Sequence, residues 1–422
     1  MFTRSRRGFM RGSALLLISL LIQQAVSGNY SSIATAQSST AKRPLRMLVL
    51  GDSVMWGQGH IEQNKFSYRL RDWLCSERNG GGCPNKQDVQ IHVEAHSGAI
   101  ISKPEKENEK KEEDRFIRTT SPVRYDGEVN YRYPTVRGQI ELAHQYYAKN
   151  SIPLNEVDLV IVNGGINDMG ATRLLLPRLF GGNVKKAATR YCRDQMSGAL
   201  IEIADTFPNA RIIVPGYFPL ISVDTRRDTL INAIKELFGR GGDEPEKKVA
   251  ADELVDRLSK DEERAGIIIT KLAERSSKWV KATDGAYGEA VANLNRDRPK
   301  LPVIQPLGET MPPDAAMRAL YVPVILDHAY GSNLTFLWQL DQDASKVKLE
   351  CPGKKISGLL LVDDDMQGKR PCMCDQAGKP DDIFCVRAGA FHPNRKGEDA
   401  YFNAITGKLG LILRFTGWLP GT

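Results

Sequence analysis

The sequence predicts an α/β fold of three layers, in which helices cover both faces of a central parallel sheet of about five strands. Residues 46–50 and 157–162 are apolar runs rich in Val, Leu and Ile, as expected of strands buried on both faces. Residues 66–74 and 136–148 carry apolar side chains at helical spacing. Strands that alternate with helices in this way are typical of a parallel sheet.

Further strands and helices follow the same alternation along the chain. Three other apolar runs are predicted to be strands: residues 89–93, 211–214 and 301–305. Helices are predicted at residues 194–207, 262–293 and 396–409, and the Gly-rich stretch 75–85 is predicted to be a loop. Residues 103–118 carry charges of both signs, which indicates a solvated insertion or an exposed helix.

The first 36 residues are interpreted as an export signal. They combine a twin-arginine pair, Arg6 and Arg7, with an apolar run at residues 14–22 and a small-residue cleavage candidate at residues 34–36. The apolar run is shorter than the ~20 residues that a membrane span requires, although an uncleaved signal anchor is the alternative. A polar linker, residues 37–44, then leads to one domain, residues 45–415, with insertions near 101–133, 222–260 and 306–388.

Composition narrows the classes of function. The chain of 422 residues is 41% hydrophobic and 26% charged, as expected of a soluble protein with a sizeable core. Its formal charge of +7 falls to +3 without the four arginines of the signal, which is too modest to indicate a nucleic-acid partner. We expect no membrane span after signal removal and no cofactor, and the oligomeric state stays open.

The predicted export signal indicates that most of the seven cysteines form disulfides, because exported proteins fold in an oxidising compartment. Cys75 and Cys83 would close the Gly-rich loop. Four more are predicted to staple the segment before the C-terminal His, in a connectivity left open: Cys351, Cys372, Cys374 and Cys385. Cys192 is expected to be free and buried. Zinc is disfavoured, because Cys372 and Cys374 lack the two-residue gap of a zinc knuckle.

The stretch from Gly51 to Ser53 is the first candidate for chemistry. It ends the first predicted strand, where an α/β fold can present a hydroxyl at the carboxyl end of its sheet. Gly-Asp-Ser is also a common turn sequence, so it predicts catalysis only if the chain supplies catalytic partners for Ser53 elsewhere. A nucleophilic Ser requires an adjacent base and donors for the oxyanion that forms.

Four ordered blocks supply such partners, and they resemble those of the SGNH (GDSL-type) hydrolases. They are Gly51-Asp52-Ser53, Gly98, Gly165-Ile166-Asn167-Asp168 and His392-Pro393-Asn394. The resemblance spans about residues 45–412 but not the insertions, and Val54 stands where the family usually has Leu. It implies the flavodoxin-like, three-layer α/β fold of that family, without a cofactor or a metal.

The resemblance also implies a role for each residue. Ser53 would be the nucleophile and His392 the general base, and then the general acid. The backbone amides of Ser53 and Gly98 and the side-chain amide of Asn167 would form the oxyanion hole. Each residue has a plainer explanation, since Gly is common at strand ends, Asn caps helices, and His392 could be a loop histidine.

The third member of the triad is missing. The family usually has an Asp three residues before the His, which orients the imidazole, but here Gly389 occupies that position. Some family members lack the acid and use a backbone carbonyl, so we expect a Ser53–His392 dyad with the Ala390 carbonyl as orienter. The rivals are acids from elsewhere: Asp363, Asp364, Asp365, Asp381 and Asp382.

The sequence therefore predicts an exported serine esterase or lipase that acts on lipid or simple acyl esters. An enzyme that removes O-acetyl groups from an extracellular polysaccharide is the alternative within catalysis. A non-catalytic binding module of the same fold is the alternative of another class, supported only by the missing acid. Acyl transfer to an acceptor other than water also stays open.

Overall fold

The computed structural model describes residues 43–118, 127–176, 183–239, 245–351, 353–379 and 382–419. The predicted export signal, and the predicted linker up to residue 42, lie outside this part of the chain. None of the described helices is both long enough and apolar enough to cross a bilayer.

The core of the fold is a parallel sheet of five strands, as predicted. Its strands are β1 (Leu45–Leu50), β2 (Val89–Val93), β3 (Leu159–Val162), β4 (Arg211–Pro215) and β5 (Ala319–Val322). They lie in the order β2-β1-β3-β4-β5, and each neighbouring pair is parallel. Strands β1, β3 and β4 are almost fully buried, which matches their continuous apolar sequences.

Helices flank this sheet and form the outer layers. The longer ones are α2 (Phe66–Arg78), α3 (Glu107–Arg118), α4 (Val136–Lys149), α8 (Met196–Thr206), α9 (Arg227–Ile234), α10 (Pro245–Lys260), α11 (Glu262–Asp297) and α14 (Arg395–Gly410). Short ones are α1 (Ser53–Trp56), α5 (Ile166–Met169), α6 (Thr172–Leu175), α7 (Val184–Ala188), α12 (Arg370–Gln376) and α13 (Ile383–Val386). Helices α2 and α14 pack together, whereas α4 packs on α8 and α8 on α11.

The position of the fifth strand was predicted wrongly. Residues 301–305 form no strand, because Pro302 has no N–H to donate and the N–H of Ile304 bonds the Phe415 carbonyl instead. The strand at this edge is β5, inside the segment predicted to be an insertion. Asn295 of α11 holds it: its side chain bonds both the N–H and the carbonyl of Ala319, at 2.9 and 2.8 Å.

The bounds of the other elements differ less from those predicted. Helix α2 continues to Arg78 into the predicted loop 75–85, and the charged stretch forms α3. The segment before the C-terminal His contains an antiparallel pair, β6 (Leu340–Asp343) and β7 (Leu359–Leu361), followed by α12 and α13.

Disulfides staple two regions of the fold. Cys75 is joined to Cys83, as predicted. The four later cysteines pair as Cys351–Cys372 and Cys374–Cys385, so both bridges hold α12. Cys192 is free and buried.

Candidate active site

The candidate site lies where the strand order of the sheet reverses. The chain leaves β1 toward β2 on one side, and after β2 it returns to β3 on the other side of β1. Ligand sites of open α/β sheets form at this point, beyond the carboxyl ends of the strands. Ser53 is the third residue after β1, and Asn167 is the fifth residue after β3.

Close packing shapes the turn that presents Ser53. Gly51 has a φ of 128°, and a Cβ there would lie 2.6 Å from the Asn163 carbonyl oxygen, so only Gly fits. Gln139 of α4 clamps the same residue: Gly51 N–H donates to Gln139 Oε1 at 2.7 Å, and Gln139 Nε2 donates to the Gly51 carbonyl at 3.0 Å. The turn is therefore held from two sides.

Asp52 braces this turn without touching His392. Its Oδ1 accepts the N–H of Val54 at 3.0 Å and caps α1, and its Oδ2 accepts the Tyr217 hydroxyl at 2.6 Å. Burial raises the pKa of Asp52 to about 6, although the hydrogen bond from Tyr217 opposes the shift. Asp52 thus has the structural duty that its place in the turn predicts.

Ser53 and His392 are in direct contact. The distance between Ser53 Oγ and His392 Nε2 is 2.6 Å, and that between His392 Nδ1 and the Ala390 carbonyl oxygen is 3.1 Å. A carbonyl can only accept, so Nδ1 carries the proton and Nε2 is free to accept from the Ser53 hydroxyl. Burial lowers the pKa of His392 to about 4, while hydrogen bonding to Ala390 opposes the shift. His392 is therefore neutral at pH 7.

No carboxylate in the described ranges is hydrogen-bonded to His392. Asp364 bonds Arg370 at 2.6 Å, Asp365 accepts from Asn64 at 2.6 Å, and Asp382 caps α13. Asp363 has no hydrogen bond to His392, and Asp381 lies outside the described residues. The Ala390 carbonyl is the partner that this geometry provides.

The three predicted oxyanion-hole donors are the N–H groups of Ser53 and Gly98 and the side-chain amide of Asn167. In the described part of the chain, neither the Ser53 N–H nor the Gly98 N–H is hydrogen-bonded to protein. Gly98 has a φ of 83°, and a Cβ there would lie 1.9 Å from Asn130 Oδ1. The Asn167 side-chain amide donates to the Ala99 carbonyl at 3.0 Å, which leaves its second N–H for another acceptor.

Asp168 ties two of the blocks together. Its carboxylate accepts the N–H of Ile101 at 3.1 Å, so the loop after β3 is fastened to the loop that carries Gly98. Burial raises the pKa of Asp168 to about 7. All four blocks that resemble the SGNH motifs thus meet at one edge of a five-stranded parallel sheet. The described residues have the three-layer α/β fold that the resemblance to the SGNH hydrolases implies.

Known proteins show only distant similarity to this chain. The sequence matches no protein-family model and no curated protein. Among solved structures, an extracellular lipase from Streptomyces rimosus is 11% identical, with 86% of this chain and 99% of the lipase covered and a TM-score of 0.36. A protein from Parabacteroides merdae described as a GDSL-like lipase is 12% identical, with coverage of 57% and 96% and a TM-score of 0.22. At these identities and TM-scores, neither structure indicates what this chain does.

Sequence reasoning missed several residues that hold the site. Gln139 and Tyr217 brace the nucleophile turn from α4 and from the end of β4. Glu128 and Arg370 form a buried ion pair at 2.6 Å, and Glu128 accepts a hydrogen bond from Trp56 of α1, the helix that begins at Ser53. The motif that includes Asp168 was visible, but nothing in the sequence indicated that residues 128 and 370 are neighbours, because 241 residues separate them.

Proposed function

We propose that the protein is a serine esterase that hydrolyses carboxylic esters through an acyl-Ser53 intermediate. The observation that carries this proposal is the 2.6 Å contact between Ser53 Oγ and a neutral His392 whose Nδ1 bonds a carbonyl. A base in this tautomer can take the hydroxyl proton.

The mechanism follows from these contacts. Ser53 Oγ attacks the ester carbonyl carbon while its proton moves to His392 Nε2, and the resulting imidazolium then protonates the departing alkoxide. The negative charge on the tetrahedral oxygen faces the N–H groups of Ser53 and Gly98 and the Asn167 amide, and each such donor is worth ~3–4 kcal/mol in the transition state. Water then repeats the sequence on the acyl-enzyme, with His392 as its base.

Export of the enzyme is part of the proposal. Three disulfides favour an oxidising compartment, periplasmic or extracellular. The twin-arginine pair, Arg6 and Arg7, would direct the chain there.

Removal of O-acetyl groups from a polysaccharide is the second candidate. A cavity of about 920 Å³ opens beside Asn167, and Arg132, Arg173, Glu246 and Lys247 are among its lining residues. Such a polar wall suits a hydroxyl-rich glycan better than a long acyl chain. This polar cavity beside Asn167 is the observation that favours the second candidate.

A substrate panel tests these alternatives. Purified mature protein is incubated with p-nitrophenyl esters of two to sixteen carbons and with acetylated xylan, and released alcohol and acetate are quantified. Preferential release of acetate from the polysaccharide would favour the second candidate, and transfer to added alcohol would reveal acyltransferase activity. If the folded protein cleaves none of these esters, the binding-module alternative replaces the enzyme.

We expect kcat/KM to fall on the acid side only at low pH, near pH 4. Burial holds the pKa of His392 at about 4, so the base stays neutral down to about pH 5 and is lost as pH falls through 4. An exposed His would lose activity near its usual pKa of ~6.5. Asp52 and Asp168 titrate near pH 6 and pH 7, but their protonated carboxyls can still accept hydrogen bonds, so we expect smaller effects there.

The measurement is kcat/KM for a short acyl ester from pH 3 to 8, with product alcohol quantified by chromatography. Circular dichroism at each pH is the control for unfolding. An acid limb near pH 6.5 in folded protein would contradict a buried, neutral His392.

A further inference from the structure

Glu128, Arg370 and Asp364 form a buried cluster of three charges. Arg370 Nη2 is 2.6 Å from Glu128 Oε1 and 2.6 Å from Asp364 Oδ2, and the side chains of all three are at most 1% exposed. Two carboxylates around one guanidinium leave one net negative charge when both are ionised. Buried ion pairs contribute little to stability over apolar residues of similar size, so stability alone does not account for the cluster.

The cluster is fastened to the segment that follows the nucleophile. Glu128 accepts hydrogen bonds from Trp56 Nε1 at 2.9 Å, from Gln58 Nε2 at 2.9 Å and from Gly59 N–H at 3.0 Å. Gln58 N–H in turn donates to the Ser53 carbonyl at 3.1 Å. One carboxylate thus fixes the chain immediately after Ser53.

The cluster also reaches the loop of the general base. A Cβ on Gly389 would lie 3.1 Å from Asp364 Oδ2 and 3.5 Å from Arg370 Nη2, so the cluster abuts the position where the family usually has its acid. The Gly389 carbonyl accepts the N–H of His392 at 3.0 Å. Glu128 raises the pKa of His392, and Arg370 lowers it, although burial is the largest influence.

We propose that Glu128 is a positioning residue that replaces the missing acid as the source of negative charge beneath His392. This inference rests on the proposed function. The Ala390 carbonyl orients the imidazole, and Glu128 stabilises the imidazolium that forms when His392 takes the Ser53 proton. Glu128 itself neither gains nor loses a proton in the reaction. Arg370 pairs with Glu128 and fixes it in place.

Other charged groups adjoin the cluster. Asp365 lies in the loop after β7, with its Oδ2 3.6 Å from Nδ1 of His60. The Lys65 ammonium lies 3.2 Å from the centroid of the Trp56 ring. Glu128 also acts on His60, whose pKa burial lowers, so the readout must report His392 rather than His60.

Kinetics of Glu128→Gln at pH 8 test the proposal with a short acyl ester. We expect kcat to fall about tenfold with KM unchanged, because the lost charge acts on the imidazolium and not on bound substrate. The inhibition constant of phenylboronic acid, whose adduct with Ser53 leaves His392 protonated, should rise by about the same factor. The acid limb of kcat/KM should move to lower pH, and Glu128→Asp, which keeps the charge, should recover most of kcat.

The matched control is Glu236→Gln. Glu236 is also a buried carboxylate paired with a buried arginine, Arg387, at 3.0 Å, and it is not among the groups that act on His392. We expect a loss of stability with kcat, boronate inhibition and the acid limb unchanged. If Glu128→Gln does not fold, Asp364→Asn removes charge from the same cluster, and kcat at pH 8 should fall about threefold.

Each outcome bears on the proposal. Unchanged kcat and boronate inhibition in folded Glu128→Gln, or unchanged kcat in Asp364→Asn where that variant replaces it, would mean that the cluster is only structural. Wild-type protein would still hydrolyse the ester, so the proposed function would stand. If wild-type protein cleaves no ester, the proposed function fails, and this inference fails with it.

Discussion

Replacing Ser53 by Ala is expected to lower kcat for ester hydrolysis by about 10⁴-fold or more. The Ser53 hydroxyl bonds only His392 within the described ranges, so its removal eliminates the nucleophile and leaves the surrounding packing in place. We expect the free energy of unfolding to change by about 1 kcal/mol or less. The measurement is kcat with a short acyl ester, together with urea denaturation of both proteins.

Ser276→Ala is the matched control for Ser53→Ala. Ser276 is also buried, but its Oγ accepts the N–H of Leu220 at 2.6 Å and lies on α11. Its loss should cost about 1–3 kcal/mol of stability with kcat retained. If folded Ser53→Ala kept more than a tenth of wild-type kcat, hydrolysis would not proceed through acyl-Ser53.

Gly389→Asp is expected to destabilise the protein by about 3 kcal/mol or more without raising kcat. A Cβ at this position would lie 2.6 Å from Leu361 Cδ1 and would bring a third carboxylate toward Asp364 and Arg370. One guanidinium cannot compensate three buried carboxylates. His392 Nδ1 already bonds the Ala390 carbonyl, so the new acid has no vacant role.

The comparison for this substitution is Gly389→Ala, which meets the Leu361 methyl but adds no charge. Because the methyl is the end of a flexible side chain, we expect a loss of about 1 kcal/mol. Urea denaturation and kcat of both variants are measured together. A substantial rise of kcat in Gly389→Asp would show that the carbonyl is an inadequate orienter, and the dyad would be wrong.

Local sequence signals predicted the sheet well because its strands are buried on both faces. Strands β1 and β3 are continuous Val, Leu and Ile runs, so their position follows from hydrophobicity alone. Strand β5 was missed because its four residues, Ala319–Val322, are a short run at the sheet edge. Its place depends on Asn295, which precedes it by 24 residues.

The candidate site was predictable as far as its motifs are ordered along the chain. Ser53, Asn167 and His392 follow or precede recognisable elements, and Gly389 by itself indicated that the usual acid is absent. The buried ion pair of Glu128 and Arg370 was not predictable from the sequence. Glu128 lies in the first predicted insertion and Arg370 in the third, and only the folded chain brings them to 2.6 Å. Two of the predicted insertions thus supply the buried charges next to the candidate site.

Fluorophosphonate labelling tests the central claim, an activated Ser53 paired with His392, most directly. Purified mature protein and His392→Ala are treated with the reagent at pH 7, and the modified residue and its rate of modification are determined by mass spectrometry. We expect rapid modification of Ser53 in the wild-type protein and its loss in His392→Ala. Folded wild-type protein that leaves Ser53 unlabelled, or equal labelling of both proteins, would contradict the account.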